Sequence, residues 1–573
     1  MKRTIVFSRV LLTVLVAGSA GLTMLPATTA LADGGGFGGG LESLKKIAVP
    51  KPTNLADYVK DEAAAVRLGK ALFWDMQAGG DGQQSCASCH SAAGADNRTR
   101  NTLNPHGLAI PPWRANQELT ASMFPIKSSL VVGSAGVKKT TFTDLADPSQ
   151  ANSGFPADLG TPVPDTVFNI DGNSDVRVRQ VTGRQTPSVI NSVYNFRFFW
   201  DGRARETFNG ATPGGATDLT ARVLRVTNGE PSPVTISIDN ASAASQAVGP
   251  ANNDVEMSFN GRNFLKLGKK LLHPAVVPLG SQMVDGSDSS LGQMSNGLNK
   301  GLNTRYAAMV SQAFQPQWWD SSQCVDGNKA PVSCLSPNSF TVMEANFSLF
   351  WGLAIQLYES TLIANDTPFD RNELNAQELR GQRVFTNEGR CAQCHNGPEL
   401  TKASVRNVLG TVPFNPTSGF FNTAVRPVAE DGGIQDVGIA NRAMFKTPHL
   451  RNVELTGPYF HNGGAATLMQ VVDFYNRGGD FRGKFTDSQM RPLGLLEQQK
   501  KDLVAFMLAL TDKRVKNESA PFDHPSLPIH NGADLDGKDI DGEIIVPAVG
   551  AGGRLVQSLV PLQRFLGLDP FQH

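Results

Sequence analysis

Two short runs constrain this chain more than anything else in it: Cys86-Ala-Ser-Cys89-His90 and Cys391-Ala-Gln-Cys394-His395. A C-x-x-C-H run suits covalent attachment of a c-type haem, with two thioethers to the porphyrin and the adjacent histidine binding iron. One such pentapeptide could equally be chance, a zinc half-site or a redox dithiol. Two of them, in a chain that opens like an exported protein, favour a dihaem cytochrome with two covalently bound haem c groups. Cys86, Cys89, Cys391 and Cys394 are then the attachment sites, and His90 and His395 the proximal iron ligands.

The export reading rests on the first residues. Met1-Lys2-Arg3 is followed by an apolar run over 5–25 and then Ala30-Leu31-Ala32, the pattern of a signal peptide (1–32) cleaved after Ala32. An uncleaved anchor is the other reading, but Ser8, Arg9, Thr13, Gly18, Ser19 and Gly21 interrupt the run. No later stretch is long and apolar enough to span a bilayer. The expected location is periplasmic. Charge balances at 52 basic against 52 acidic residues, which argues against a nucleic-acid partner. Cys324 and Cys334 lie in a Gly/Pro/Ser-rich segment, where an oxidising compartment favours a small disulfide loop over two free thiols.

The rest of the chain divides around the two motifs. A flexible lead (33–55) precedes an N-terminal cytochrome c domain with insertions (56–345), a C-terminal cytochrome c domain (346–515) and a tail (516–573). Residues 63–73 (AAAVRLGKALF) and 378–385 (ELRGQRVF) have helical spacing just ahead of each motif. Further helices are expected over 253–270, 303–314, 343–362 and 493–510. Residues 110–181 are loop-like, and Asp171-Gly-Asn-Ser-Asp175 within them reads as a solvated turn. The tail, with Asp534-Leu-Asp-Gly-Lys-Asp-Ile-Asp-Gly542, reads as surface, lacking the glutamate that would end a calcium-binding loop.

An internal repeat accompanies the motifs. Residues 186–204 (TPSVINSVYNFRFFWDGRA) and 447–465 (TPHLRNVELTGPYFHNGGA) align without gaps, each downstream of a haem motif. Coincidence among turn residues explains this less well than duplication of a haem domain. Trp200 and His461 fall at the same place in the two copies. The fold class expected is mainly α: two cytochrome c-type haem domains related by the repeat, with long loop insertions.

These motifs together resemble the bacterial dihaem cytochrome c peroxidase and MauG superfamily. The likeness extends over most of 60–515 and adds Phe199-Trp-Asp-Gly-Arg-Ala204, Gln246-Ala-Val-Gly-Pro250 with Val255-Glu-Met257, Tyr358-Glu-Ser-Thr-Leu362 with Pro368-Phe-Asp-Arg371, and Pro458-Tyr-Phe-His461. The resemblance implies that Trp200 lies between the haems and relays electrons. It makes Glu256 the acid–base group at the peroxide-binding first haem, flanked by Gln246 and Pro250. In the peroxidases a methionine lies fourteen residues after the histidine matching His461; here that position is Tyr475, as in MauG. Phenolate favours ferric iron where thioether favours ferrous, so Tyr475 is the expected distal ligand of the second haem, with Met469 and Met444 as alternatives. His106, sixteen residues after His90, matches a distal histidine of the first haem, although its flanking residues differ from the pattern. The family's calcium site maps to Thr456, Pro458 and Gln185, the last in place of an asparagine.

The function implied is reduction of hydrogen peroxide, with a small cytochrome, a cupredoxin or a substrate protein as electron donor. An oxygenase cleaving an organic substrate and a plain electron-transfer cytochrome are the rival readings. Oligomeric state is open, a homodimer included.

Overall fold

The helices ahead of the attachment motifs start at side-chain caps written in the sequence. In the computed structural model, which describes residues 40–106, 113–127, 129–147, 157–436, 438–533 and 541–573, the Asp61 carboxylate accepts the Ala64 N–H at 3.0 Å and opens the first of them. Asn375 and Glu378 form a reciprocal capping box that opens the second. In chain order the helices are α1 (Glu62–Trp74), α2 (Ala87–His90), α3 (Ser242–Ala247), α4 (Phe264–Leu271), α5 (Tyr306–Ala313), α6 (Val342–Ala345), α7 (Phe347–Glu359), α8 (Ala376–Thr386), α9 (Val405–Leu409), α10 (Leu468–Arg477), α11 (Glu497–Leu508) and α12 (Lys513–Lys516). The expected signal peptide lies outside the described residues. No helix among the described residues is long and apolar enough to cross a membrane.

Each haem motif sits beside a crossed helix pair, α1 on α7 and α8 on α11. Both crossings are made at a glycine. A Cβ on Gly69 would stand 1.9 Å from the Ala354 carbonyl oxygen, and one on Gly381 would stand 1.9 Å from that of Asp502. Two separate apolar cores form around these pairs. The first gathers α1, α5 and α7, and the second gathers Phe369, Phe385, Leu503 and Phe506. Helix α7 was expected to head the second domain. It packs with α1 and α5 in the first core.

Helix accounts for 26% of the described residues and strand for 15%, so "mainly α" is not confirmed. The shortfall has a physical source. The span 253–270 is helical only over Phe264–Leu271, because Asn253 turns the backbone back on itself with Oδ1 accepting the N–H groups of Val255 and Glu256. The insertions pair into short antiparallel ladders, such as Thr140–Asp144 with Leu159–Pro162 and Val223–Thr227 with Glu230–Val234. Asp171, at φ 51°, turns an exposed two-stranded ladder, as a solvated turn should. Cys324, in a small three-stranded sheet, is disulfide-bonded to Cys334 in a neighbouring turn.

The tail is not the surface segment expected. Strand Leu527–Ala533 pairs with Asp541–Val546, and Leu527, Ile529, His524 and His530 are buried. The acidic run expected to be solvated lies mostly outside the described residues, its last two members Asp541 and Gly542 belonging to this hairpin.

Candidate functional site: one cavity shared by two haem motifs

The two segments expected to be a repeat share several local backbone features. Asn191 and Asn452 are both left-handed, at φ 59° and 61°, and each starts a 3-10 turn, Ser192–Tyr194 and Val453–Leu455. The Asn191 Oδ1 accepts the Ala364 N–H and the Asn452 Oδ1 accepts the Asp512 N–H, both at 2.9 Å. Phe199 and Phe460 take positive φ, 57° and 71°, and the backbone closes again through Phe198–Ala204 and Tyr459–Ala465 bridges. Positive φ at a bulky residue is strained, and such strain gathers at functional sites. Here it sets the direction of the next residue, Trp200 in one copy and His461 in the other. Their rings meet edge to face at 6.2 Å.

Around this pair lies a cavity of about 740 Å³. Cys86, Cys89 and His90 reach it from one side and Cys391, Cys394 and His395 from the other. All four cysteines are free of disulfides. His90 Nδ1 donates to the Gly94 carbonyl at 2.8 Å and His395 Nδ1 to that of Leu400 at 3.3 Å. Those bonds fix the tautomer and leave Nε2 with the lone pair, as a metal-ligating histidine requires. Burial lowers both imidazoles, His395 to about 4, so each is neutral. Free thiol pairs beside a pre-oriented neutral imidazole, twice over on one cavity, fit haem c.

On the first side, Glu256, Gln246 and Pro250 line the cavity. Burial pushes the Glu256 carboxyl above its ordinary range, against the pull of Arg203. Arg98 donates to the Cys89 sulfur at 3.5 Å while paired with Asp96 at 2.6 Å, tying the attachment loop down.

On the second side, Tyr475 reaches the cavity from α10, packed edge-on to Phe474 at 5.1 Å. Burial raises its phenol well above the usual value, so iron charge would be needed to draw out a phenolate. The alternatives Met469 and Met444 do not line the cavity; Met490 does, and sequence spacing carried no sign of it.

Between the sides, Trp200 Nε1 donates to the Gln185 carbonyl at 2.7 Å, and the Gln185 N–H donates to the His461 carbonyl at 2.9 Å. Residue 185 thus splices the two copies together. Its side-chain Oε1 is buried without a partner, while Thr456 and Pro458 line the same cavity. An orphaned buried amide oxygen near two further residues of the expected set is compatible with a hard cation. His106, at φ 53°, also lines the cavity, but its Nε2 is engaged by the Glu430 carbonyl at 3.0 Å.

Glu359, His449 and Lys446 are among the lining residues given no role from sequence. Glu359 is buried, holds one hydrogen bond from Ser192 Oγ at 3.1 Å, and is raised by burial to about 8. His449 is lowered by burial to about 4 with Nδ1 unpartnered, and Lys446 is lowered by burial to about 8 beside Trp200. A glutamate closing the largely apolar helix α7 was the one legible signal among them.

Comparison with known proteins places the chain in a family. The family model for di-haem cytochrome c peroxidases matches residues 63–378, more than half of the chain. The chain belongs to that family, and haem is the cofactor the family implies. Cytochrome-c peroxidase IdrP1 of Denitromonas iodatirespirans is 36% identical over 200 residues, covering 30% of this chain and 52% of that protein. Methylamine utilization protein MauG of Methylorubrum extorquens is 31% identical, covering 30% of this chain and 46% of that protein. The chain spans about half the length of these curated relatives. A solved MauG-like protein associated with microbial copper homeostasis aligns over 83% of this chain and 96% of its own, at 18% identity and a TM-score of 0.45.

Proposed function

We propose that the protein is a periplasmic dihaem peroxidase of MauG-like character, with haem c bound at both C-x-x-C-H motifs. The observation that carries this reading is the single cavity that both motifs, Glu256, Trp200 and Tyr475 line together. Haem supplies the peroxide and electron-transfer chemistry when bound. The chain's own residues supply proton handling and geometry. Glu256, whose carboxyl is raised above its ordinary range by burial, takes a proton from one peroxide oxygen as the carboxylate and returns it to the other as the acid, and Gln246 orients the molecule through its side-chain amide. Reduction of hydrogen peroxide to two waters consumes two electrons and two protons. Trp200, held between the two sides by Gln185, is the relay for the electrons.

Tyr475 is the distal ligand of the second haem in this reading, and a tyrosine there favours oxidation of a protein or organic substrate over turnover with a small cytochrome or cupredoxin. Gln185 Oε1, with Thr456 and Pro458, holds calcium between the domains. The repeat segments are copies of one ancestral haem unit, and residues 1–32 direct export.

Ferric-state spectroscopy before and after one equivalent of peroxide tests the reading. The expected result is a high-spin first haem that responds to peroxide beside a low-spin second haem whose spectrum changes in Tyr475→Phe. Two six-coordinate haems inert to peroxide would contradict it. Oxygen uptake on an unsaturated substrate without peroxide would replace it with the oxygenase reading.

A further inference from the structure

Helix α10, which carries Tyr475, has its first turn closed by residues more than a hundred positions away. Thr467, its N-cap, accepts the Gln470 N–H at 3.1 Å and donates its hydroxyl to the Gln572 carbonyl at 2.5 Å. The Met469 N–H, a first-turn amide with no acceptor inside the helix, donates to the Pro570 carbonyl at 3.0 Å. Phe571, between those two carbonyls, packs against the second core. Arg564 pairs with Glu454 at 2.6 Å, and Phe565 meets Phe124 edge-on at 5.6 Å, seating the approach to α10. Upstream, the same tail is anchored independently on the first core. His524 stacks on Trp74 at 4.4 Å, Ser526 bonds to Gln282 and Met283, and the His530 carbonyl accepts from Arg98 beside Cys89.

We infer that residues 564–572 are a positioning strap for Tyr475, their backbone carbonyls fixing the start of α10 so that the phenol two turns later meets the second site. A ten-residue helix is marginal in isolation. Whatever holds its first turn therefore sets how firmly its last turn is placed. The strap acts through Tyr475 and touches no reacting atom. The inference rests on Tyr475 being the distal ligand of the second haem.

The test compares the full haem-loaded chain with one ending at Gln563 and with Phe571→Ala, which removes the strap's apolar anchor while leaving every residue of α10 unchanged. Amide exchange at Met469 and Gln470 is expected to quicken at least tenfold in the shortened chain, and less in Phe571→Ala, with α11 unaffected. The second haem's absorption and electron paramagnetic resonance signals are expected to shift toward those of Tyr475→Phe. The first haem's signals should stay as they are, because the His530–Arg98 anchor is intact. Unchanged exchange in α10 overturns the inference. So does faster exchange with an unchanged second-haem spectrum, in a protein whose spectrum Tyr475→Phe does alter. If Tyr475→Phe alters nothing in the full chain, the ligand reading falls instead, and the exchange comparison alone decides whether the strap holds the helix.

Discussion

Glu256 sits in a turn rather than a helix, and the turn is what brings its carboxyl to the first site. Asn253 Oδ1 bonds to two successive backbone N–H groups and fixes the loop that presents it. Glu256→Gln should lower the rate of peroxide consumption by about 10²–10⁴-fold, the usual worth of a positioned acid–base group, with haem content unchanged. A loss below threefold in stopped-flow assays would remove Glu256 from the proton path. Glu359 makes a second prediction. Folded, it keeps its proton to about pH 8; an unfolded glutamate releases its proton near 4.5. The folded state binds more protons across that window, so the contribution is fullest below about 4.5 and declines as pH rises to about 8. The thermal midpoint should fall over that range, and less steeply in Glu359→Gln; identical slopes would mean the carboxyl is not buried as described. Single residues were legible in sequence where a motif fixed their register, as Tyr475 was by its distance from His461. Met490 was not, because it reaches the cavity from a loop whose course no local pattern specifies.

Helices carry the sites because two glycines let them cross closely. Gly69 and Gly381 each precede a buried phenylalanine by four residues, Phe73 and Phe385, so the two crossings are built alike. Replacing either by alanine drives a methyl into a backbone carbonyl, and overpacking of that kind costs about 1–3 kcal/mol. Denaturant unfolding of Gly69→Ala and Gly381→Ala should show it, and a neutral outcome would mean the helices can separate without loss. The elements flanking the motifs were readable because amphipathic spacing and caps agree locally: Asp61, Asn375 and Glu378 mark their own helix starts. Over 253–270 a helical pattern lost to Asn253, whose side chain offers the backbone an alternative partner. The placement of α7 in the first core depends on the α1 crossing at Gly69, a tertiary contact invisible to periodicity.

For the whole molecule, what matters is that two attachment motifs three hundred residues apart in sequence open onto one space. Ion pairs tie the segment around Trp200 to residues 431–436: Arg184 bonds to Asp201 and Asp431 at 2.7 and 2.9 Å, and Arg197 bonds to Glu206 and Asp436 at 2.7 and 2.6 Å. The sequence set Trp200 and His461 at equivalent positions without foretelling that their rings meet, and the tail's part could not be read from composition rich in proline, glycine and aspartate. The central claim is that both haem sites act as one electronic unit through Trp200. Its most direct measurement is rapid-mixing spectroscopy of the wild type and Trp200→Phe with one equivalent of peroxide, following each haem's bands separately. The account predicts that both sets change together in the wild type, and that in Trp200→Phe the second haem's change slows at least tenfold while the first haem's is unaltered. A second haem that never responds, or that responds equally fast without the indole, would contradict it.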